Sequence, residues 1–403
     1  MKQKYLLVLV FATLLTVFNS CRKSTSYRAL IVTGQNNHNW KASSPILKVL
    51  LEQTGLFTAD IALTPGKGGD MNTFKPNFSK YNVVVIDYNG ESWSDKTKTD
   101  FVDYVKNGGG VVIYHAGDNS FPDWKEFNLM IGLGGWGNRT EKDGPYVYFK
   151  RDIMITDTAA GKGGSHGKRH EYEVRLRNME HPITKGLPRR WIHGADELYS
   201  QLRGPAQNME ILATAFAAPG QGGTGRDEPM LMTISYGKGR IFHTALGHAD
   251  EGGGPAMQCV GFIVTFQRGA EWAACGNVTQ KIPYDFPNVG AAAFRTDFKE
   301  LTLEVDLAKI ATYDFTKSTK YFTDLQIRIR TEAKTPEALK SFEQPMISLL
   351  GSKDATDDGK KLILREISWM GSELSIPVVK ELAKNPNLKD EAEFTLARLQ
   401  GVK

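Results

Sequence analysis

Cysteine is scarce in this chain, three residues in 403, which is too few for a disulfide framework. Two of them, Cys259 and Cys275, sit at the ends of the stretch 255–274, which reads as one apolar helix. At a rise of about 1.5 Å per residue a continuous helix holds them roughly 24 Å apart, so they do not pair with each other. Two isolated cysteines also exclude a zinc knuckle. No GxGxxG follows the first strand, and GKGG at 161–164 lacks the GxxxxGK[ST] of a phosphate loop, so nucleotide fingerprints are absent. The net charge of +5 is spread out with no Lys/Arg block, which argues against a nucleic-acid partner. What is present is ordinary for a globular chain of two or three domains: 41% hydrophobic and 24% charged residues.

The N-terminus stands apart. Lys2 and Lys4 lead into LLVLVFATLLTVF, followed by Asn19, Ser20 and Cys21. A basic start, a short apolar core and polar residues before the cut describe an export signal over 1–20, too short to span a bilayer as a stable helix. Cys21 after Ser20 resembles a bacterial lipoprotein cleavage site, with Phe18 in place of the usual aliphatic residue. The expected mature chain starts at a lipidated Cys21, with 21–26 as a tether and the lipid anchor as its only membrane contact. The lack of acidic residues just after Cys21 points to the periplasmic side.

The first domain, 27–277, is organised around GGGVVIYHAGDNSF at 108–121. Glycines end a helix, Val111 to Tyr114 form a buried strand, and the chain turns sharply at His115. Ligands of open α/β sheets bind at the carboxyl ends of strands, and a small-residue turn carrying one functional side chain there has the geometry of a nucleophile elbow. His115 occupies the tip, with Asp118 and Asn119 beside it. A histidine that merely caps the strand end is the structural alternative. Strand RALIVT (28–33) precedes a polar loop containing His38, Asn39 and Trp40; Ser43 or Ser44 then caps a helix with Pro45 in its first turn. VVVID (83–87) is a second strong strand, and Ser94 caps the helix after it. Alternating strands and helices imply a doubly wound, mostly parallel sheet of the flavodoxin type.

The stretch 132–168 is rich in glycine and charge and reads as a loop over the site. His166 and His170 lie four apart, but the glycines argue against a helix that would aim both at one metal. WIHGADELY (191–199) places His193, Asp196 and Glu197 in an aromatic frame suited to sugar hydroxyls and faces. A hairpin turns at Tyr236 to Gly239, and its second strand runs out at Gly247, His248, Asp250 and Glu251. His243, inside that strand, reads as a buried structural residue.

Together RALIVTGQNNHNW, GGGVVIYHAGDNSF, HPITKGLP, DELY, YGKGRIFHTALGH and GAEWAA resemble the ThuA-like, trehalose-utilisation family over 27–277. The resemblance implies a class I glutamine amidotransferase-like fold. It also implies a departure, since His115 stands where those enzymes carry a cysteine, so thiol-based glutamine hydrolysis is not available. It further implies carbohydrate catabolism, specifically of sugars oxidised at C3 to a ketone, beside a sugar 3-dehydrogenase partner. Chemistry next to a ketone needs a base and a carbonyl-polarising group. His115 and His248 are the base and acid candidates, with Asp118 and Glu251 in support. His38, Asn39, Trp40, Asn119, His170, His193, Asp196 and Glu197 are the sugar-positioning candidates. No cofactor is required by this reading; a divalent metal held by several of the histidines and an acid is the other way to polarise the carbonyl. A non-catalytic sugar-binding lipoprotein on a degenerate amidotransferase fold is the competing reading of the missing cysteine.

After a linker at 278–300, residues 301–403 read as consecutive amphipathic helices. KKLILREISWMG, IPVVKELAKNPNL and DEAEFTLARL resemble paired HEAT-type helices, which present a docking surface or cap the first domain.

Overall fold

The structure is a computed structural model that describes residues 26–298 and 303–401; the leader and Cys21 lie outside the described residues. The first part carries thirteen strands among the described residues. They are β1 (Tyr27–Thr33), β2 (Phe57–Leu63), β3 (Val83–Ile86), β4 (Gly110–Tyr114), β5 (Tyr146–Lys150), β6 (Ile153–Asp157), β7 (Ser165–His166), β8 (His170–Leu176), β9 (Arg190–Asp196), β10 (Tyr199–Ser200), β11 (Met209–Phe216), β12 (Asp227–Tyr236) and β13 (Gly239–Thr244). Eleven form one sheet with the main order β2-β1-β3-β4-β13-β12-β11-β8-β9, and β5 and β6 branch from β12. The five strands from β2 to β13 are parallel. Their all-apolar centres, VVVI in β3 and GVVIY in β4, are fully buried, as strands covered on both faces must be. Beyond β13 each pairing is antiparallel.

Five helices complete this part: α1 (Trp40–Glu52), α2 (Asp95–Lys106), α3 (Lys125–Ile131), α4 (Gly254–Gln258) and α5 (Val260–Cys275). Side chains alternate along β13 and reveal the layers. Phe242 meets α5 at Gly269, whereas the next residue, His243, bonds through Nδ1 to the Ile131 carbonyl at the end of α3. Helix α1 joins α5 through Gln267, which donates to the Leu50 carbonyl, and α2 joins the α3 side where Phe101 meets Trp124. Helices therefore cover both faces, and the doubly wound reading of the core holds.

Two local expectations change. Helix α1 begins at Trp40, so Ser43 is not its cap; the Ser43 hydroxyl points inward and donates to the buried Asp87 carboxylate at 2.6 Å. A buried carboxylate needs donors, and this one draws Ser43 in. The 255–274 helix breaks at Cys259, which is extended (ψ 124°), because its Sγ turns to accept the Gly194 N–H from β9. Both Cys259 and Cys275 are free thiols. Ser94 caps α2 as its spacing predicts, accepting from the Thr97 N–H.

The C-terminal part is helical: α6 (Leu303–Ala311), α7 (Lys320–Glu332), α8 (Pro336–Gly351), α9 (Asp357–Met370), α10 (Ile376–Leu382) and α11 (Lys389–Leu399). It has its own apolar core, including Leu325, Met346, Leu350, Ile363, Ile367 and Val379, separate from that of the sheet. Among the described residues no helix is long and apolar enough to cross a membrane.

Candidate functional site: a histidine–carboxylate cluster

Four chain segments meet at the carboxyl edge of the parallel strands. The loop after β1 supplies His38, the turn after β4 His115, the turn after β13 His248, and the end of β9 Glu197. Four antiparallel steps separate β13 from β9, so β9 again runs in the direction of β13 and ends on the same edge. Its terminal Asp196 locks the two ends together: the carboxylate accepts the backbone N–H groups of Gly247 (2.7 Å), His248 (3.1 Å) and Glu197 (2.7 Å). His115 sits at φ 43°, the left-handed backbone expected of a sharp elbow. Two glycines permit the approach. A Cβ on Gly117 would meet the Ile86 carbonyl oxygen at 2.6 Å, and one on Gly247 (φ 104°) would strike the Phe262 ring at 2.5 Å.

Three imidazoles converge on one carboxylate oxygen. From Glu197 Oε2, His38 Nε2 lies at 3.3 Å, His248 Nδ1 at 3.3 Å and His115 Nε2 at 3.7 Å. The ligand-type atoms of all four residues fall within 4.8 Å of one another. His166 approaches from the loop side, its Nε2 3.8 Å from the other oxygen, Oε1.

The family model described as ThuA, trehalose utilisation, matches residues 28–273. The chain belongs to the ThuA family. It is similar over 68% of its length, at 51% identity and a TM-score of 0.67, to a crystal structure of a ThuA-like protein from Parabacteroides merdae, 99% of which is covered. A ThuA-like protein from Bacteroides uniformis is matched at 20% identity and a TM-score of 0.42, over 63% of this chain and 93% of that one. No curated protein matches the chain. Membership ties the chain to carbohydrate utilisation.

Electrostatics follow from burial around one anion. Burial alone would raise the Glu197 carboxyl in this ThuA chain, but the imidazoles of His115, His248 and His38 gathered around it outweigh burial and hold it far below the usual carboxylate range. Burial depresses His38. Burial also disfavours charge on His115, yet Glu197 and Asp196 reverse the sign and its pKa rises. Beneath the cluster, His193 bonds Asp196 at 2.9 Å, both fully buried. Against burial, Cys259 and Asp196 hold His193 up at about 10. Burial pushes Asp87, under the β3 end, up to about 7 despite donors from Ser43 and Asn36.

The cluster opens into a pocket of about 450 Å³ walled by Phe121, Trp136 and Tyr199, with Asn37, Asn89 and Asn119 supplying amides. His115 stacks on Tyr199 with ring centroids 4.4 Å apart. Phe121 and Trp136 have positive φ, so two strained non-glycine residues line the cavity, and His115, strained in the same way, lies buried behind Tyr199. A larger hollow, about 680 Å³, lies at the other edge of the sheet between Lys75 and Asn107; it contains no histidine and nothing arranged for chemistry.

The structure sorts the residues expected from sequence. His38, His115, His248 and Glu197 come together, and Asn119 lines the pocket. His193 and Asp196 are too buried to touch a sugar; they brace the site from below. Asp118 is also buried and faces His243 (3.4 Å), on the far side of the turn from the cluster. Glu251 is exposed, and Glu197 takes the carboxylate position expected of it. Asn39 is exposed and starts α1 with Trp40, while His170 is anchored outside by its Nδ1 bond to the Lys168 carbonyl. Asn89, Trp136 and Tyr199 carry no sequence signal as a set, because they are brought together only by folding; of the three only Tyr199, closing the aromatic frame of 191–199, was marked in the sequence.

Proposed function

We propose that the chain is a carbohydrate-processing enzyme acting on a keto-sugar or 3-keto-glycoside, by cleavage, elimination or isomerisation next to the ketone. The observation that carries this reading is the convergence of three imidazoles on Glu197 at the floor of an aromatic, amide-lined pocket. A binding site needs stacking faces and hydrogen bonds; it has no need of so many proton-active groups at one point.

His38, His115 and His248 share one carboxylate oxygen, that of Glu197. They act as one carbonyl-polarising unit, placed to stabilise charge developing on the ketone oxygen. His115 is further committed, because its Nδ1 donates to the Ala245 carbonyl at 2.7 Å and only Nε2 faces Glu197. Proton transfer at the adjacent carbon then falls to His166, the imidazole on the pocket rim, in place of the His115 base suggested by sequence. Trp136 and Tyr199 cover the apolar sugar face, and the asparagines meet hydroxyls.

The setting belongs to the same proposal. Lys2, Lys4, the apolar leader and Cys21 support export and lipid anchoring on the periplasmic side. The consecutive helices α6 to α11 support a HEAT-like docking surface for a partner such as a sugar 3-dehydrogenase.

The test is a side-by-side incubation of wild type, His115→Ala and His166→Ala with 3-keto-glucosides and their unoxidised parents, followed by mass spectrometry. Wild type is expected to consume only the keto forms, His115→Ala neither, and His166→Ala to turn over about 10²–10⁴-fold more slowly. Binding of the keto-sugar with no turnover by wild type would replace the enzyme with the sugar-binding lipoprotein.

A further inference from the structure

We propose that His38, His115, His248 and Glu197 form a resident divalent transition-metal centre, with zinc as its first occupant. The proposal deepens the reading above and rests on it only in sharing the pocket. Four lines of geometry carry it.

The first is spacing. Nitrogen and oxygen ligands of zinc lie about 2.0–2.1 Å from the ion, which puts neighbouring ligands of a tetrahedron about 3.4 Å apart. The three distances from Glu197 Oε2 to the imidazoles, 3.3, 3.3 and 3.7 Å, are such tetrahedral edges. The second is donor chemistry. Three imidazoles and one carboxylate suit zinc and its neighbours and suit magnesium or calcium poorly, since those prefer oxygen.

The third is orientation. A metal-bound histidine usually has its other nitrogen tied to a carbonyl or carboxylate. His115 does so through Nδ1 to the Ala245 carbonyl, which leaves the lone pair on Nε2 aimed at the cluster centre. His248 does so through Nε2, 3.4 Å from Asp250 Oδ1, and Asp250 is itself clamped by Arg169 at 2.7 Å through both oxygens. The fourth is an unmet need. His115 Nε2 is buried and lacks a hydrogen-bond partner, and so does His248 Nδ1. Buried polar atoms without partners are rare, and here two of them point at the same space.

Three of the four ligands remain 10–13% exposed, and two of them, His38 and Glu197, line the pocket, so a sugar oxygen can reach an ion held there. The ligands hold the ion as a Lewis acid beside the carbonyl, and no change of oxidation state is involved. The substrate chemistry this fits is a ketone flanked by a hydroxyl, whose two oxygens can both approach the ion.

The experiment uses the full chain, stripped with a chelator and then titrated with Zn²⁺ and with Co²⁺. Bound metal is counted by mass spectrometry of the elements, and cobalt geometry is read from its visible spectrum. One ion per chain is expected, with the intense visible bands of low-coordinate cobalt. His38→Ala and Glu197→Ala should each abolish one-to-one binding, with circular dichroism reporting the fold. Asp250→Asn should weaken binding about 10–100-fold, the range for partners that orient a ligand. His170→Ala, outside the cluster, should bind as wild type does. No ion bound by wild type, or equal binding by the His38 and Glu197 variants, would overturn the centre. Keto-sugar turnover by stripped protein would remove the metal and leave the sugar reading in place. One ion bound with no turnover would keep the metal and remove the sugar reading.

Discussion

The sheet domain and the helical tail both bury acids, and they use them differently. In the tail, Glu343 is buried at the end of an apolar core and its carboxylate is fully met by the Ser372 N–H, the Ser372 hydroxyl and the Ser375 hydroxyl. It ties α8 to the segment before α10 and has nothing left to offer. All eight histidines of the chain lie before residue 249, in the sheet domain. There Glu197 faces three imidazoles, and neighbouring ring nitrogens remain without partners. Satisfied buried polar groups mark structure, whereas convergent, unsatisfied ones at a cavity mark chemistry.

The comparison breaks most severely at Asp196. Asp196→Ala strands a buried His193 imidazolium and three backbone N–H groups, so it is expected to cost about 3–5 kcal/mol in urea unfolding, and to scatter Glu197 and His248 as well. Glu197→Gln should leave the fold standing but remove the anion the imidazoles share, lowering kcat/KM on the keto-sugar about 10²–10³-fold. If both variants lost only stability, the cluster would be as structural as Glu343.

A buried acid away from the site sharpens the contrast. Burial raises Glu228 from its ordinary 4.5 to about 7, against donors from Thr224 and the Gln201 N–H. A raised carboxyl holds a proton in the folded state that the unfolded chain releases. Stability therefore falls as pH rises from 4.5 to about 7, by on the order of 3 kcal/mol, and stays lower above that. Glu228→Gln should flatten this slope in thermal melts between pH 4.5 and 8. In the tail, Glu343→Ala should cost about 1–3 kcal/mol and leave keto-sugar turnover per folded molecule unchanged. Smallest of all, His170→Ala, on a half-buried side chain at the start of β8 and outside the cluster, should stay within about 0.5 kcal/mol of wild type and retain activity.

Sequence periodicity and turn chemistry determined much of this protein without help. The apolar β-branched runs of β3 and β4, the Ser94 cap, the glycine-bounded hairpin and the helical tail are local in origin, so they are legible along the chain. So was the sharp turn at His115, because a strand followed by small residues leaves few backbone choices. What only the tertiary structure decided is which histidines meet. His38 and Glu197 lie 159 residues apart and touch because four antiparallel steps return β9 to the edge where β1 ends, and because Asp196 pins that end to the turn after β13. Sequence spacing carries no trace of those contacts. It could not tell Glu197, which the fold places at the centre of the cluster, from Glu251, which it leaves in solvent. Nor could it tell His193, which braces the site from beneath, from His248, which joins the cluster at Glu197.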